Sequence, residues 1–256
     1  MSCLRGGCPA ENGTDRRPDP VRRLVSALGA DRRGAGLNRW PLGSGGLHDR
    51  HVMEEADVLV DEPKYRIRAT HTADTITVYQ AYRPEIGLPA ARDGRFPEAW
   101  KRDRMTWIKP SFLWMMYRCG WGTKEGQESV LAVEITREGF DWALRNACLS
   151  SYQPGLHTDR TSWQRQLKRS PARVQWDPER DLRLQPLPYR SLQLGLAGEA
   201  AHRYADEWIT AITDVTPLAR QIHGLVREGQ LAAAERLLPA ASPYPAGDEL
   251  LSALLG

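Results

Sequence analysis

Hydrophobic and polar positions settle into regular patterns only from about residue 65 onward. The run Thr75-Ile-Thr-Val-Tyr-Gln-Ala-Tyr82 alternates and is rich in β-branched and aromatic residues, which predicts a strand. Pro84 then suits a first helical turn, and residues 85–93 predict a short helix that stops at Gly94. Ser129-Val-Leu-Ala-Val-Glu-Ile-Thr136 is almost continuously apolar and predicts a buried strand. Glu134 interrupts it and is expected on its polar side. Residues 138–149 predict an amphipathic helix with Phe140, Ala143, Leu144 and Ala147 inward. Thr161 is expected to cap a helix that runs to Lys168. Residues 174–176 and 191–196 predict further strands, with Pro186 and Pro188 marking the loop between them. The last third predicts helices over 199–212, from the Thr216-Pro217 cap, and over 230–238.

A second pattern overlies the first. Trp100, Trp107, Trp114 and Trp121 fall seven residues apart. A coiled coil is excluded, because Pro110 sits inside the repeat and an interior Pro costs a helix about 3 kcal/mol. The segment instead predicts a strand over 104–108, a break at Pro110, and a helix capped by Ser111 that ends at Gly120. On that helix Trp114, Tyr117 and Arg118 are neighbours.

Strands that come first and mid-chain, with helices between and after them, predict an α+β fold. We expect a single mixed domain with a central, mostly antiparallel sheet and a helical C-terminal third. The expected boundaries are a disordered Arg/Gly/Pro-rich extension over 1–53, the α+β domain over 54–246, and a tail over 247–256.

Charge changes this picture in one respect. The chain's formal net charge is +3, but residues 1–53 hold nine Arg against five acids, so the rest of the chain carries a net charge of −1. A generic nucleic-acid binder is expected to be basic in its folded part. Here the excess is local: residues 92–124 hold eight Lys or Arg against three acids. That suits a small anionic ligand or a short nucleic-acid contact. No apolar run reaches the roughly 18 residues that predict a membrane helix. Cys3, Cys8, Cys119 and Cys148 lack metal-ligand spacing, which points to reduced thiols and a cytoplasmic location. The six His also form no metal spacing, and no phosphate loop, nucleophile elbow or dinucleotide fingerprint is present.

Three constellations carry candidate chemistry. Arg104, Trp107, Lys109, Ser111, Trp114, Tyr117, Arg118 and Trp121 could form an aromatic platform flanked by cations, on which a base stacks and phosphate is held. The same residues could equally form a Trp-rich core with Arg packed on it. Tyr79, Gln80, Tyr82 and Arg83 end a strand, where polar residues commonly line a cleft. Gln175-Trp-Asp-Pro-Glu-Arg-Asp181 crowds Asp177, Glu179 and Asp181 together. Neighbouring carboxylates favour acid–base chemistry, but Asp177-Pro178 also reads as an ordinary turn, which we favour.

The strings Tyr79-Gln-Ala-Tyr82, Arg104-Met-Thr-Trp-Ile-Lys-Pro-Ser-Phe-Leu-Trp-Met-Met-Tyr-Arg118, Gln175 to Asp181 and Tyr189-Arg-Ser-Leu-Gln-Leu-Gly-Leu196 carry a resemblance. From about residue 62 to 244 the chain resembles the mainly bacterial family called domain of unknown function 4291. The resemblance implies no activity, and Cys119 stands where Ser is usual. A strand ending in Tyr-x-x-Tyr before a helix, with a later acid, also resembles the ADP-ribosyltransferase fold. There a polar first-strand residue, an aromatic and a Glu grip NAD. The analogy implies Gln80, an aromatic such as Tyr117, and Glu134 or Glu179 in those places, with Gln80 where Arg or His is usual.

The expected function is binding of a nucleotide-type anion, NAD or another nucleotide, in a Trp/Arg/Lys-lined cleft, with an ADP-ribosyltransferase-like enzyme as its catalytic form. Tyr79, Gln80, Arg83, Arg104, Trp107, Lys109, Ser111, Trp114, Tyr117, Arg118 and Gln175 are the candidate ligand-binding residues, and Asp177, Glu179 and Glu134 the candidate acids or bases. No metal and no membrane partner is expected. The alternative is a non-catalytic module for single-stranded nucleic acid or for another protein, and the oligomeric state stays open.

Overall fold

The computed structural model describes residues 64–247 together with Leu250 and Leu254. The proposed N-terminal extension, and most of the proposed tail, lie outside the described residues.

Three small sheets organise the described residues. The first is antiparallel and has the order β2-β4-β8, from β2 (Thr75–Tyr82), β4 (Ser129–Thr136) and β8 (Ile209–Asp214). The second has the order β3-β7-β6-β5, from β3 (Thr106–Ile108), β7 (Pro186–Leu196), β6 (Ala172–Arg180) and β5 (Ala147–Leu149). Only its β5–β6 pair is parallel. A short antiparallel pair, β1 (Arg68–Ala69) with β9 (Ser242–Pro243), ties the two ends of the described chain together. Together with the seven α-helices among the described residues this is the α+β class, with mostly antiparallel pairing.

The first two sheets meet where the Tyr79 N–H donates to the Lys109 carbonyl at 2.7 Å. Helix α3 (Arg137–Arg145) packs on strands of both. Ile76, Val78, Leu131, Val133, Phe140, Leu194 and Leu196 fill the core between them. Burying each of these side chains contributes about 1.5–3 kcal/mol.

Local signals explain the helices. In α1 (Pro84–Asp93) Pro stands in the first turn, and Gly94 closes the helix with φ 67°. In α2 (Phe112–Cys119) the Ser111 hydroxyl accepts from the Trp114 N–H, and Gly120 closes with φ 60°. The cap of α3 is Thr136, which accepts from Gly139 N–H. A side chain at Gly139 would meet the Trp208 ring, so the glycine lets that indole lie against the helix.

Several expectations change. The 199–212 stripe is not one helix. Helix α5 (Glu199–Arg203) passes through a π-helical turn, Tyr204–Trp208, and the chain then extends as β8. The free edge of β4 is buried, so its backbone groups need partners. Ile209-Thr-Ala-Ile-Thr is rich enough in β-branched residues to supply them as a strand. The helix expected over 138–149 ends at Arg145, because Ala147–Leu149 pairs with β6. Asp177-Pro178 is not the turn: β6 runs on to Arg180, with its register shift between Pro178 and Arg180. A Pro in a strand is tolerated at such an irregularity. Pro186 and Pro188 lie inside β7 rather than in a loop. Helix α4 (Arg160–Arg169) takes its cap from Asp159, not Thr161. The C-terminal helices α6 (Thr216–Arg227) and α7 (Leu231–Arg236) form near the expected places.

Candidate functional site

The end of β2, strand β3 and helix α2 come together beside β6 and β7 and leave a cleft of about 800 Å³. Eight of the sequence-derived ligand residues line it: Gln80, Arg83, Arg104, Trp107, Lys109, Trp114, Arg118 and Gln175. With Lys101 they leave the wall with five basic side chains and no Asp or Glu. Local folding explains the convergence. Pro110 ends β3, Ser111 starts α2 at once, and Trp114 and Arg118 then fall one turn apart on the cleft side.

The Trp repeat divides between core and cleft. Trp100, Trp114 and Trp121 are buried, while Trp107 is half-buried. Gly195 on β7 pairs with Trp107 across the strands. A Cβ there would stand 3.0 Å from the indole and from Met105 Sδ, so the glycine lets both side chains pack close over β7.

Gln80 is fully engaged. Its Nε2 donates to Thr106 Oγ1 at 2.7 Å and to the Trp107 carbonyl at 3.2 Å, and its Oε1 accepts from Tyr204 OH at 2.6 Å. The Trp100 indole N–H donates to Tyr82 OH at 3.0 Å, and Tyr82 OH lies 3.2 Å from Thr106 Oγ1. This buried network fixes the floor of the cleft. Burial raises the Tyr82 phenol above its ordinary range.

Lys109 contrasts with it. Its side chain is buried, with 5% of the residue exposed, yet Nζ makes one long hydrogen bond, 3.3 Å to the Trp107 carbonyl. It lies 5.2 Å from the centre of the Trp114 ring. No described carboxylate forms an ion pair with it. Burial pushes its pKa down to about 7, with the Arg118 charge adding to the shift and Asp177 opposing it.

The candidate acids are placed differently from one another. Asp177 is not in the cleft wall but directly behind it. It accepts from Gln175 Nε2 at 3.0 Å and from Gln193 Nε2 at 2.6 Å, and both glutamines line the cleft. Glu179 is buried away from the wall, where it accepts from Ser111 Oγ at 2.7 Å and from the Arg180 N–H at 2.9 Å. Burial raises its pKa in spite of those bonds. Glu134 pairs with Thr77, which puts it on the Tyr79 side of the sheet and not the Gln80 side. Three ligand candidates also stand outside the wall. Tyr79 is core, Ser111 is a helix cap bound to Glu179, and Tyr117 is 42% exposed under the Arg180 guanidinium at 3.6 Å.

Sequence reasoning missed Gln193 and Thr106 as cleft residues. Each is a polar residue in an apolar strand, the signal that was available.

The family model described as Domain of unknown function (DUF4291) matches residues 66–244. The chain belongs to this family. The match contains every residue named in the cleft, so the site is built wholly within the family domain. No curated protein and no solved structure matches the chain. Among the described residues no helix is long and apolar enough to cross a membrane, and no group of His, Cys, Asp or Glu could hold a metal ion.

Proposed function

We propose that the cleft binds a nucleotide-type anionic ligand. The observation that carries this is a wall that holds Arg83, Lys101, Arg104, Lys109 and Arg118, no Asp or Glu, and Trp107 and Trp114 between them. Sites for such ligands usually measure about 300–1,000 Å³. Arg118 and Arg104 supply planar forks for phosphate, and Trp107 supplies a face for a base or a nicotinamide. Burial of Trp100, Trp114 and Trp121 leaves too little open aromatic surface for a long single-stranded track.

The catalytic form of this reading is an ADP-ribosyltransferase-like enzyme that uses NAD. Asp177 behind Gln175 and Gln193 is its support, while Gln80, held by Thr106, Trp107 and Tyr204, would shape the floor rather than grip the ligand. A ligand that displaces either glutamine would bring Asp177 into play. The buried free thiols of Cys119 and Cys148 suit a reducing, cytoplasmic compartment.

The test is thermal stabilisation of the full chain by NAD, ADP-ribose and ADP at low and high salt. A ligand at about 100 times its Kd adds about 2.7 kcal/mol. We expect a salt-tolerant shift with at least one of them, lost in Arg118→Ala. A shift only with oligonucleotides, vanishing in salt, would favour a nucleic-acid module instead. Nicotinamide release from NAD, reduced in Asp177→Asn, tests the catalytic form.

A further inference from the structure

Lys109 is the buried one among the cleft's Lys and Arg residues; Arg83, Lys101, Arg104 and Arg118 are exposed. An ammonium buried to this degree normally has a carboxylate beside it or several acceptors around it. Here the amine has one 3.3 Å contact with a carbonyl and the face of Trp114. The groups that act on it are Arg118 and Cys119 from α2 and Asp177 from β6. Arg104, ahead of β3, and Arg83, at the end of β2, line the same cleft. Asp177 is the one carboxylate among them, and its two oxygens are occupied by Gln175 and Gln193. The fold therefore engages the natural counter-charge elsewhere and leaves a poorly partnered amine in the wall of the cleft.

We propose that Lys109 is the seat of the ligand's anionic group, and that the anion and a proton enter the cleft together. This rests on the nucleotide-type reading of the cleft and adds a ligand requirement to it. The occupant must carry a fixed negative charge, such as a phosphodiester or a diphosphate, placed against Trp114 and Arg118. In the empty cleft the amine is largely neutral above about pH 7, as burial and Arg118 dictate. An anion in contact favours the ammonium, so binding draws one proton from solvent. The balance is simple: amine, proton and anion give an ammonium–anion pair, and no covalent bond changes.

Two measurements test this on the full chain. The first is an NMR titration of the lysine ε-carbons without ligand. The chain has five lysines, so the Lys109 signal is assigned by its loss in Lys109→Met. A midpoint near pH 7 is expected, and one at the ordinary lysine value overturns the proposal without any ligand being involved. The second is calorimetry with NAD, whose bridging diphosphate does not titrate near neutral pH, in two buffers of different ionisation enthalpy at pH 8.5. We expect uptake of close to one proton per NAD and an affinity that weakens up to tenfold per pH unit above 7.5. Lys109→Arg, which is always charged, is expected to bind without proton uptake. NAD binding to the wild type without uptake overturns the proposal and leaves the cleft reading intact. Absence of binding by NAD, ADP-ribose and ADP overturns both.

Discussion

Two ionisable groups are buried within a few residues of each other in the fold, and they are treated in opposite ways. Glu179 lies behind α2 with hydrogen bonds from the Ser111 hydroxyl and the Arg180 amide. Lys109, two residues before Ser111, lies in front of α2 with one long contact. Burial disfavours the charged form of both, raising the acid and lowering the base. The difference lies in satisfaction. Glu179 has the partners that make a buried polar group structural, because they replace the water it lost. Lys109 lacks them and faces a cleft, which is where a ligand can supply them. One proline, Pro110, thus stands between the amine proposed to bind the anion and the Ser111 cap that holds the satisfied carboxylate.

The largest expected effect breaks the satisfied side. Ser111→Ala removes both the α2 cap and the hydroxyl donor to Glu179. Loss of a cap costs about 1 kcal/mol, and loss of one of the two hydrogen bonds to the buried Glu179 carboxyl about 1–3 kcal/mol. Urea unfolding is expected to show a loss of about 2–4 kcal/mol. Next, Gly195→Val forces the Trp107 indole off β7 and is expected to cost about 1–3 kcal/mol by overpacking, with loss of nucleotide binding. Retained binding would show that Trp107 does not shape the site.

Lys109→Met sharpens the comparison because it is expected to stabilise the ligand-free protein at pH 7 while removing anion binding. The folded pKa of Lys109, about 7, lies below its unfolded value. Between the two the unfolded chain holds more protons than the native state, so wild-type stability rises with pH in that window. The advantage of the Met variant is therefore expected to shrink from pH 7 to pH 10 in paired thermal melts. The smallest effect is expected for Tyr117→Ala. It removes the Arg180 contact on an exposed ring, worth about 0.5–1 kcal/mol, and is expected to leave ligand binding unchanged.

Much of this was legible in the sequence because the signals were local. The strand over Thr75–Tyr82, the break at Pro110, the Ser111 cap and the Gly120 stop each rest on neighbouring residues, and all formed as expected. Eight cleft residues came from the cation and Trp pattern together with strand ends. What was not legible depended on partners far along the chain. Nothing near Ile209 says that β4 has an open edge needing a strand. Nothing near Asp177 says that Gln193 on the next strand will occupy it. Burial of Trp114 beside exposure of Tyr117 likewise follows from where β2 and β6 pack on α2.

The most direct measurement of the central claim is the thermal shift of the wild type, Lys109→Met and Tyr117→Ala with NAD, ADP-ribose and ADP in low and high salt. A salt-tolerant shift in the wild type and in Tyr117→Ala, absent from a folded Lys109→Met, is the predicted result. An equal shift in all three proteins, or none with any of the three ligands, would contradict the claim that this cleft binds a nucleotide-type anion through Lys109.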